Sequence, residues 1–318
     1  MAVNADKPTR WKDDIARSVD LYNDWFMRFA PVAFRETRVK TTVIVEEAMV
    51  TTKNMRAVTP ALLRTNPALV PMLRMTTAPP LARDRLVGLA GVTKSLIDSM
   101  EKENRVPPRM KGSKLDEALQ RIGTVLEKLI DSDIFPWLGE KRAPSKTERH
   151  RAATIVADRM CGAHADPIIR NAQEKRQLEA IEKWLKKRGY RKGAHGIDFR
   201  KMDPGTYAFR LNVPVTLEGG TTTVNIPVDA VIMPLKAKAG DLPVLVEAKS
   251  AGDFTNPNKR RKEEAKKVSQ LTMTYGKAVC YVLFLCGYFD QGYLGYEAAD
   301  GIDWVWEHRI EDLKEFGL

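Results

Sequence analysis

Asp229, Glu247 and Lys249 are the residues whose types and spacing can do chemistry. They sit in two short Val- and Ile-rich runs, 225–234 and 242–250. Period-two patterning and Gly and Pro borders read both runs as β-strands. Glu247 and Lys249 are two positions apart, so they project from one face of their strand together with Leu245. Asp229 interrupts an otherwise apolar run, and a loop with Lys236, Lys238, Gly240 and Asp241 joins the two strands. Burying two carboxylates and an amine is costly unless they pair or hold a metal. With the main-chain carbonyl of Ala248, the two carboxylates form a hard oxygen site suited to Mg2+. A cation there can polarise a phosphodiester, activate a water and steady the leaving oxygen. The Lys249 ammonium can orient the attacking water or offset charge growing on the phosphate. The blander reading is an ion pair on a solvated sheet face, since Glu-x-Lys is common on charged strands. Val244, Leu245 and Val246 before the Glu, and Val228, Val231 and Ile232 around the Asp, weigh against it, because they are buried-strand sequences.

Several elements must position these residues. A helix over about 168–187 turns Leu178, Ile181 and Leu185 to one side, and Glu174 falls on that side. Glu174 is therefore a candidate third carboxylate; the alternative is an acid placed to suit the helix dipole. Tyr207, Phe209, Leu211, Val213 and Val215 alternate as a strand, and 217–220 turns it into the Asp229 strand. After the Glu247 strand come a polar loop over 250–258 and a helix over about 259–275, with Ala265, Val268, Leu271 and Tyr275 inward and its lysines largely outside. Residues 278–289 read as a central strand, followed by a strand through Trp304 and Trp306 and a short C-terminal helix.

The first half reads as helical. One amphipathic helix spans 11 to about 30 and ends at Pro31; a second runs from Phe34 to about Thr52 with Arg35, Arg38 and Lys40 clustered at its start, a small hint of a phosphate partner. Prolines punctuate 56–85. There Arg74, Arg83 and Arg85 either contact DNA or pair with acids such as Asp84 to tie loops together. Residues 86–100 and 115–129 read as helices, 144–151 as a polar connector, and 152–160 as a further helix. The expected division is a helical DNA-binding or dimerisation domain at 1–165 and a catalytic domain at 166–318.

A net charge of +11 and a pI near 9.5 favour a polyanionic partner. Cys161, Cys280 and Cys286 form no C-x-x-C pair and read as buried thiols of a reducing cytoplasm. The four histidines lack zinc-site spacing. No apolar opening run or bilayer-length stretch occurs, so a membrane location is not expected.

The order Asp, gap, Glu-x-Lys resembles the PD-(D/E)XK nucleases, with one departure: Val228 separates Pro227 from Asp229, where the family pattern has Pro directly before Asp. Most of the chain further resembles the XamI family of type II restriction endonucleases. That likeness rests on Trp25-Phe-Met-Arg-Phe-Ala-Pro-Val-Ala-Phe-Arg35, on 73–89 with its Pro79-Pro80 and Arg83-Asp84-Arg85, on Asp166-Pro-Ile-Ile-Arg-Asn-Ala-Gln-Glu-Lys-Arg176, and on 247–261. The resemblance implies an α/β (α+β) nuclease core, a mixed β-sheet flanked by helices, following a helical N-terminal domain. It implies Mg2+-dependent hydrolysis of double-stranded DNA at a short palindrome, leaving 5′-phosphate and 3′-hydroxyl ends; the family's namesake target is GTCGAC. Asp229, Glu247 and the Ala248 carbonyl would hold the metal, Lys249 would assist the water, and Glu174 would complete the site. Asn256 and Asn258 are placed to read adenine edges, Arg260 or Arg261 guanine edges, and Lys259 and Lys262 the backbone. A palindromic target implies a homodimer, and restriction implies a cognate DNA methyltransferase as functional partner. The alternatives are a structure-selective repair or recombination nuclease on the same core, and a non-catalytic DNA-binding protein.

Overall fold

The structure is a computed structural model that describes residues 2–193, 197–217 and 222–318; the side chains of 163, 164 and 256–261 also lie outside the description. In chain order the helices of the first half are α1 (Pro8–Thr51), α2 (Pro60–Thr65), α3 (Val70–Met75), α4 (Arg83–Ala90), α5 (Lys94–Lys102), α6 (Ser113–Lys128), α7 (Pro136–Gly139) and α8 (Lys146–Lys187). The second half runs β1 (Arg191–Lys192), β2 (Thr206–Thr216), β3 (Thr223–Ile232), β4 (Val244–Ala251), α9 (Asn256–Tyr275), β5 (Cys280–Gly287), α10 (Gln291–Ala299) and β6 (Asp303–Trp306), then a 3-10 segment, Glu307–Phe316.

The chain divides into two compact units, one of residues 30–169, the other of 1–29 with 170–318. The helical unit buries Leu63, Leu73, Leu86, Leu96, Ile122, Phe135 and Trp137 in a single core. Its short helices follow local signals: Thr59 and Thr93 cap α2 and α5 by accepting from the Leu62 and Leu96 amides, and Pro opens α2. The second unit is built on a six-stranded sheet in order β1-β2-β3-β4-β5-β6. β2–β3 and β3–β4 are antiparallel; β1–β2, β4–β5 and β5–β6 are parallel. One face packs on α8 through Leu178, Ile181, Trp184 and Leu185 and on Leu313. The other packs on Leu271 of α9, Tyr293 and Leu294 of α10, and Trp11 and Ile15 of α1. Burial of each such large side chain contributes roughly 1.5–3 kcal/mol.

Four expectations from the sequence need correction. Pro31 does not end a helix: α1 runs through it, as α8, which begins at Lys146 inside the expected connector at 144–151, runs through Pro167. A proline removes one intrahelical donor, and in helices of 44 and 42 residues the remaining ladder carries the helix through it. Arg35, Arg38 and Lys40 are consequently mid-helix, so the dipole argument for them lapses, and Arg38 instead pairs with Asp158 at 3.2 Å. The expected 86–100 helix is broken, because Gly91 takes the left-handed conformation (φ 57°) that closes α4. The expected loop 250–258 is shorter, since α9 begins at Asn256 with Pro257 in its first turn, a position whose fixed φ suits a helix start. Finally, α10 was not anticipated. Parallel strands need a crossover, and α10 supplies the one between β5 and β6. The expected turn at 217–220 lies mostly outside the described residues.

Candidate active site

β3 and β4 pair antiparallel through Ala230↔Val246, Val231↔Leu245 and Ile232↔Val244. The chain diverges beyond this ladder, and Asp229 stands at the fork beside Glu247 and Ala248. Asp229 Oδ2 accepts from the Ala248 amide at 2.9 Å, which ties the carboxylate to the neighbouring strand. Burial, then the charge of Glu247, pushes its pKa up to about 6. Glu247 is buried at 7% exposure. Its Oε1 lies 2.6 Å from Lys267 Nζ and 3.4 Å from Lys249 Nζ, while its Oε2 is buried with no hydrogen-bond partner among the described residues. Buried oxygens are rarely left this way. An orphaned carboxylate oxygen beside a second carboxylate whose protonation is favoured is what a cation site looks like from its donor atoms. Among the described residues no group of three or more Asp, Glu, His or Cys side chains surrounds a common point. Two carboxylates with solvent and substrate oxygens suit Mg2+, which keeps several of its waters.

Sequence reasoning missed Glu264. This α9 residue is 1% exposed; its Oε1 lies 2.6 Å from Lys249 Nζ, and its Oε2 accepts from the Tyr281 hydroxyl at 2.6 Å. Burial alone would lower the Lys249 pKa, but Glu264 and Glu247 outweigh it, so the ammonium is held charged. Burial would raise Glu264, and Lys249 and Lys267 reverse that as well. The signal was in the helix: Glu264, Val268, Leu271 and Tyr275 are spaced four, three and four residues apart, so the acid sits on the apolar stripe. Lys267 was expected among the outward lysines; it points instead to Glu247. Gln177 of α8 donates to the carbonyls of Lys249 and Phe284, each at 3.2 Å, clamping the catalytic strand to β5 from the opposite face.

Glu174 is not drawn into this carboxylate group: its Oε1 accepts from Arg210 Nε and Nη2 at 3.0 and 2.7 Å, although its charge adds to the upward shift of Asp229. Arg74 is bidentate on Glu101 (2.6 and 3.1 Å), and Arg83 pairs with Asp98 at 2.6 Å and Glu101 at 3.4 Å, so these two tie α3, α4 and α5 together. Arg85 and Lys262 are exposed. The side chains of Asn256, Asn258, Lys259, Arg260 and Arg261 lie outside the described residues.

Comparison with known proteins gives a consistent result. The family model of the XamI restriction endonuclease matches residues 53–306. The type II restriction enzyme SalI of Streptomyces albus G is 55% identical over 317 residues, 99% of this chain and 99% of that enzyme. Among solved structures, protein VC1899 from Vibrio cholerae aligns with a TM-score of 0.29 and 12% identity over 80% of this chain, which spans 55% of that one; a likeness of that size carries no argument. The family match covers most of the chain and the identity to the curated enzyme is nearly end to end, so the chain belongs to the XamI restriction endonuclease family and is a restriction endonuclease.

Proposed function

We propose that the chain hydrolyses double-stranded DNA at a short palindrome, GTCGAC, in a Mg2+-dependent reaction leaving 5′-phosphate and 3′-hydroxyl ends. The observation that carries the metal-dependent reading is the pair Asp229 and Glu247, with a buried Glu247 oxygen lacking a donor among the described residues. Asp229, Glu247 and the Ala248 carbonyl would hold the cation, which supplies Lewis-acid polarisation of the scissile phosphate. Asp229 must be ionised to do so, and its Ala248 tether fixes which oxygen stays free. Lys249 contributes a fixed positive charge for the attacking water and the developing phosphorane charge. Glu264 and Tyr281 keep that ammonium charged and aimed. Lys267 neutralises Glu247 until a cation takes its place. Glu174 completes the carboxylate set when Arg210 leaves it. The helical half is read as a DNA-binding or dimerisation element, with Arg85 as its exposed arginine among the three first considered. A palindromic target fits a homodimer in which each subunit cuts one strand. A cognate methyltransferase would protect the host's own sites.

The test is digestion of a large unmethylated linear DNA with Mg2+ and with EDTA, followed by sequencing of the ends. Discrete fragments ending within GTCGAC are expected, with none in EDTA. Asp229→Ala and Lys249→Ala should each abolish cutting while thermal unfolding remains a single transition near that of the parent. Undiminished cutting by both variants would overturn the site, and random ends would overturn the sequence-specific reading.

A further inference from the structure

The β2–β3 ladder carries an irregularity at the level of the active site. The register Phe209↔Ala230 and Leu211↔Val228 sets Arg210 directly opposite Asp229. Along a regular strand, residues three apart point to opposite faces. Yet Ala208 and Leu211 pack in the same core, as do Val228 and Val231. Both strands therefore break alternation at the same level, one at Arg210 and the other at Asp229. Arg210 absorbs the break with φ of 52°, a left-handed conformation in the interior of a strand, where only glycine sits without penalty. Nothing in the packing demands an arginine there, because its side chain is 66% exposed. A strained non-glycine residue that an exposed side chain does not repay is a mark of function.

The chemistry of that side chain narrows the function. Arg210 donates two hydrogen bonds to one oxygen of Glu174, a carboxylate close enough to raise the pKa of Asp229. Exposed ion pairs of this kind are weak and readily exchanged. A guanidinium fork matches the paired oxygens of a phosphodiester better than the single carboxylate oxygen it now holds. The same residue lines a cavity of about 570 Å3 with Lys192, Asn212, Asn225 and the Arg200–Asp198 ion pair, a polar lining of net positive charge that suits a nucleic-acid backbone. We propose that Arg210 is a substrate-contacting residue that leaves Glu174 to clamp a backbone phosphate beside the scissile bond, its left-handed backbone aiming the guanidinium toward the strand held at Asp229 and Glu247. This inference rests on the nuclease reading above.

Arg210→Gly separates the side chain from the backbone, because glycine keeps the left-handed conformation without strain. Wild type, Arg210→Gly, Arg210→Ala and Arg210→Lys would be compared by thermal unfolding and by single-turnover cleavage at saturating enzyme. The DNA would be a duplex carrying the mapped site, with or without one neutral methylphosphonate at each phosphate near the cut. The expected result is a melting temperature for Arg210→Gly equal to or above that of wild type, with cleavage slower by on the order of 100-fold. Arg210→Lys should recover part of the rate. One methylphosphonate position should slow wild type by a similar factor and slow Arg210→Gly no further. Cleavage by Arg210→Gly within about threefold of wild type, less than one interaction of this kind supplies, would overturn the proposal. So would equal losses for wild type and Arg210→Gly at every methylphosphonate position. A fall in melting temperature with Arg210→Lys no better than Arg210→Ala would make Arg210 structural and overturn it too. Absence of cleavage by wild type would overturn the nuclease reading itself, an outcome distinct from all of these.

Discussion

Each of the two units contains a cluster of buried charges, and the two clusters are built on opposite principles. In the helical unit Arg74 and Arg83 meet Glu101 and Asp98, with Lys102 3.4 Å from Asp98. Each acid there has a cation within reach, and Glu101 spends both carboxylate oxygens on Arg74, with Arg83 Nε left 3.4 Å from it and without a hydrogen bond among the described residues. In the sheet unit, among the described residues, Asp229, Glu247 and Glu264 face only Lys249 and Lys267. Among the described residues carboxylates exceed cations and one Glu247 oxygen has no donor, and Asp229 is pushed toward its neutral form. A cluster whose acids are all paired has no carboxylate oxygen left to offer a cation, so its contribution is to the fold. An unsatisfied one costs stability and keeps coordination free for something absent from the chain. The accounting of partners, more than the presence of charge, separates a structural cluster from a catalytic one.

The sharpest way to break that comparison is Glu101→Ala. If the helical cluster is structural, removing the acid strands Arg74, only 12% exposed, while Arg83 keeps Asp98, and costs about 3–5 kcal/mol. Denaturant unfolding would read the loss as a lower midpoint with an unchanged slope. Cleavage per folded molecule should be unaltered. A stable variant with impaired cleavage would reverse the assignment of roles.

Glu264→Gln asks whether the sheet cluster extends to a residue that touches no substrate. Gln keeps the shape but removes the charge that offsets the burial of Lys249. The Lys249 pKa then falls, so the ammonium is lost at lower pH than in the parent. Cleavage should drop by on the order of 10- to 100-fold, typical of a supporting partner. The alkaline limb of the pH–rate profile should also move toward lower pH. A reduced rate with an unmoved limb would mean that Glu264 only packs.

These contrasts explain what was legible in the sequence. The strands around Asp229 and Glu247 were, because Val, Ile and Leu runs report burial directly, and an acid inside such a run stands out. The Asp229–Ala248 tether and the Lys249 partners were not, because they depend on which oxygen faces which strand. Glu264 was half legible: it lies on the stripe of Val268, Leu271 and Tyr275, but an apolar stripe is normally read for what it buries, not for the charge within it. Arg74 and Arg83 were legible as arginines and ambiguous in role, since the same guanidinium suits a phosphate or a carboxylate. Their acids, Glu101 and Asp98, come from α5, and only the folded chain brings them within reach. The prolines misled for a local reason. A rule about one missing donor cannot register the length of helix on either side of Pro31 and Pro167.

The smallest effect, and the one that most directly tests the imbalance, is on the stability of Asp229→Asn without metal. Asp229 titrates near 6 in the folded chain against an ordinary value of 3.8, so folding favours its protonated form. The wild type therefore carries no penalty below about pH 4, where the carboxyl is protonated folded or unfolded. The penalty grows as pH rises through 6 and is complete above it. Asparagine is neutral throughout and still accepts from the Ala248 amide. The variant should accordingly be more stable than wild type by about 1–2 kcal/mol at pH 8, less than the full value of a shift of this size because Asp229 is only partly buried. The gap should close on acidification toward pH 4. Added Mg2+ should also narrow it at pH 8, by stabilising wild type alone. An Asp229→Asn variant no more stable than wild type at pH 8 would mean that this carboxylate is satisfied as it stands. The difference between the two clusters would then have to rest on Glu247 alone.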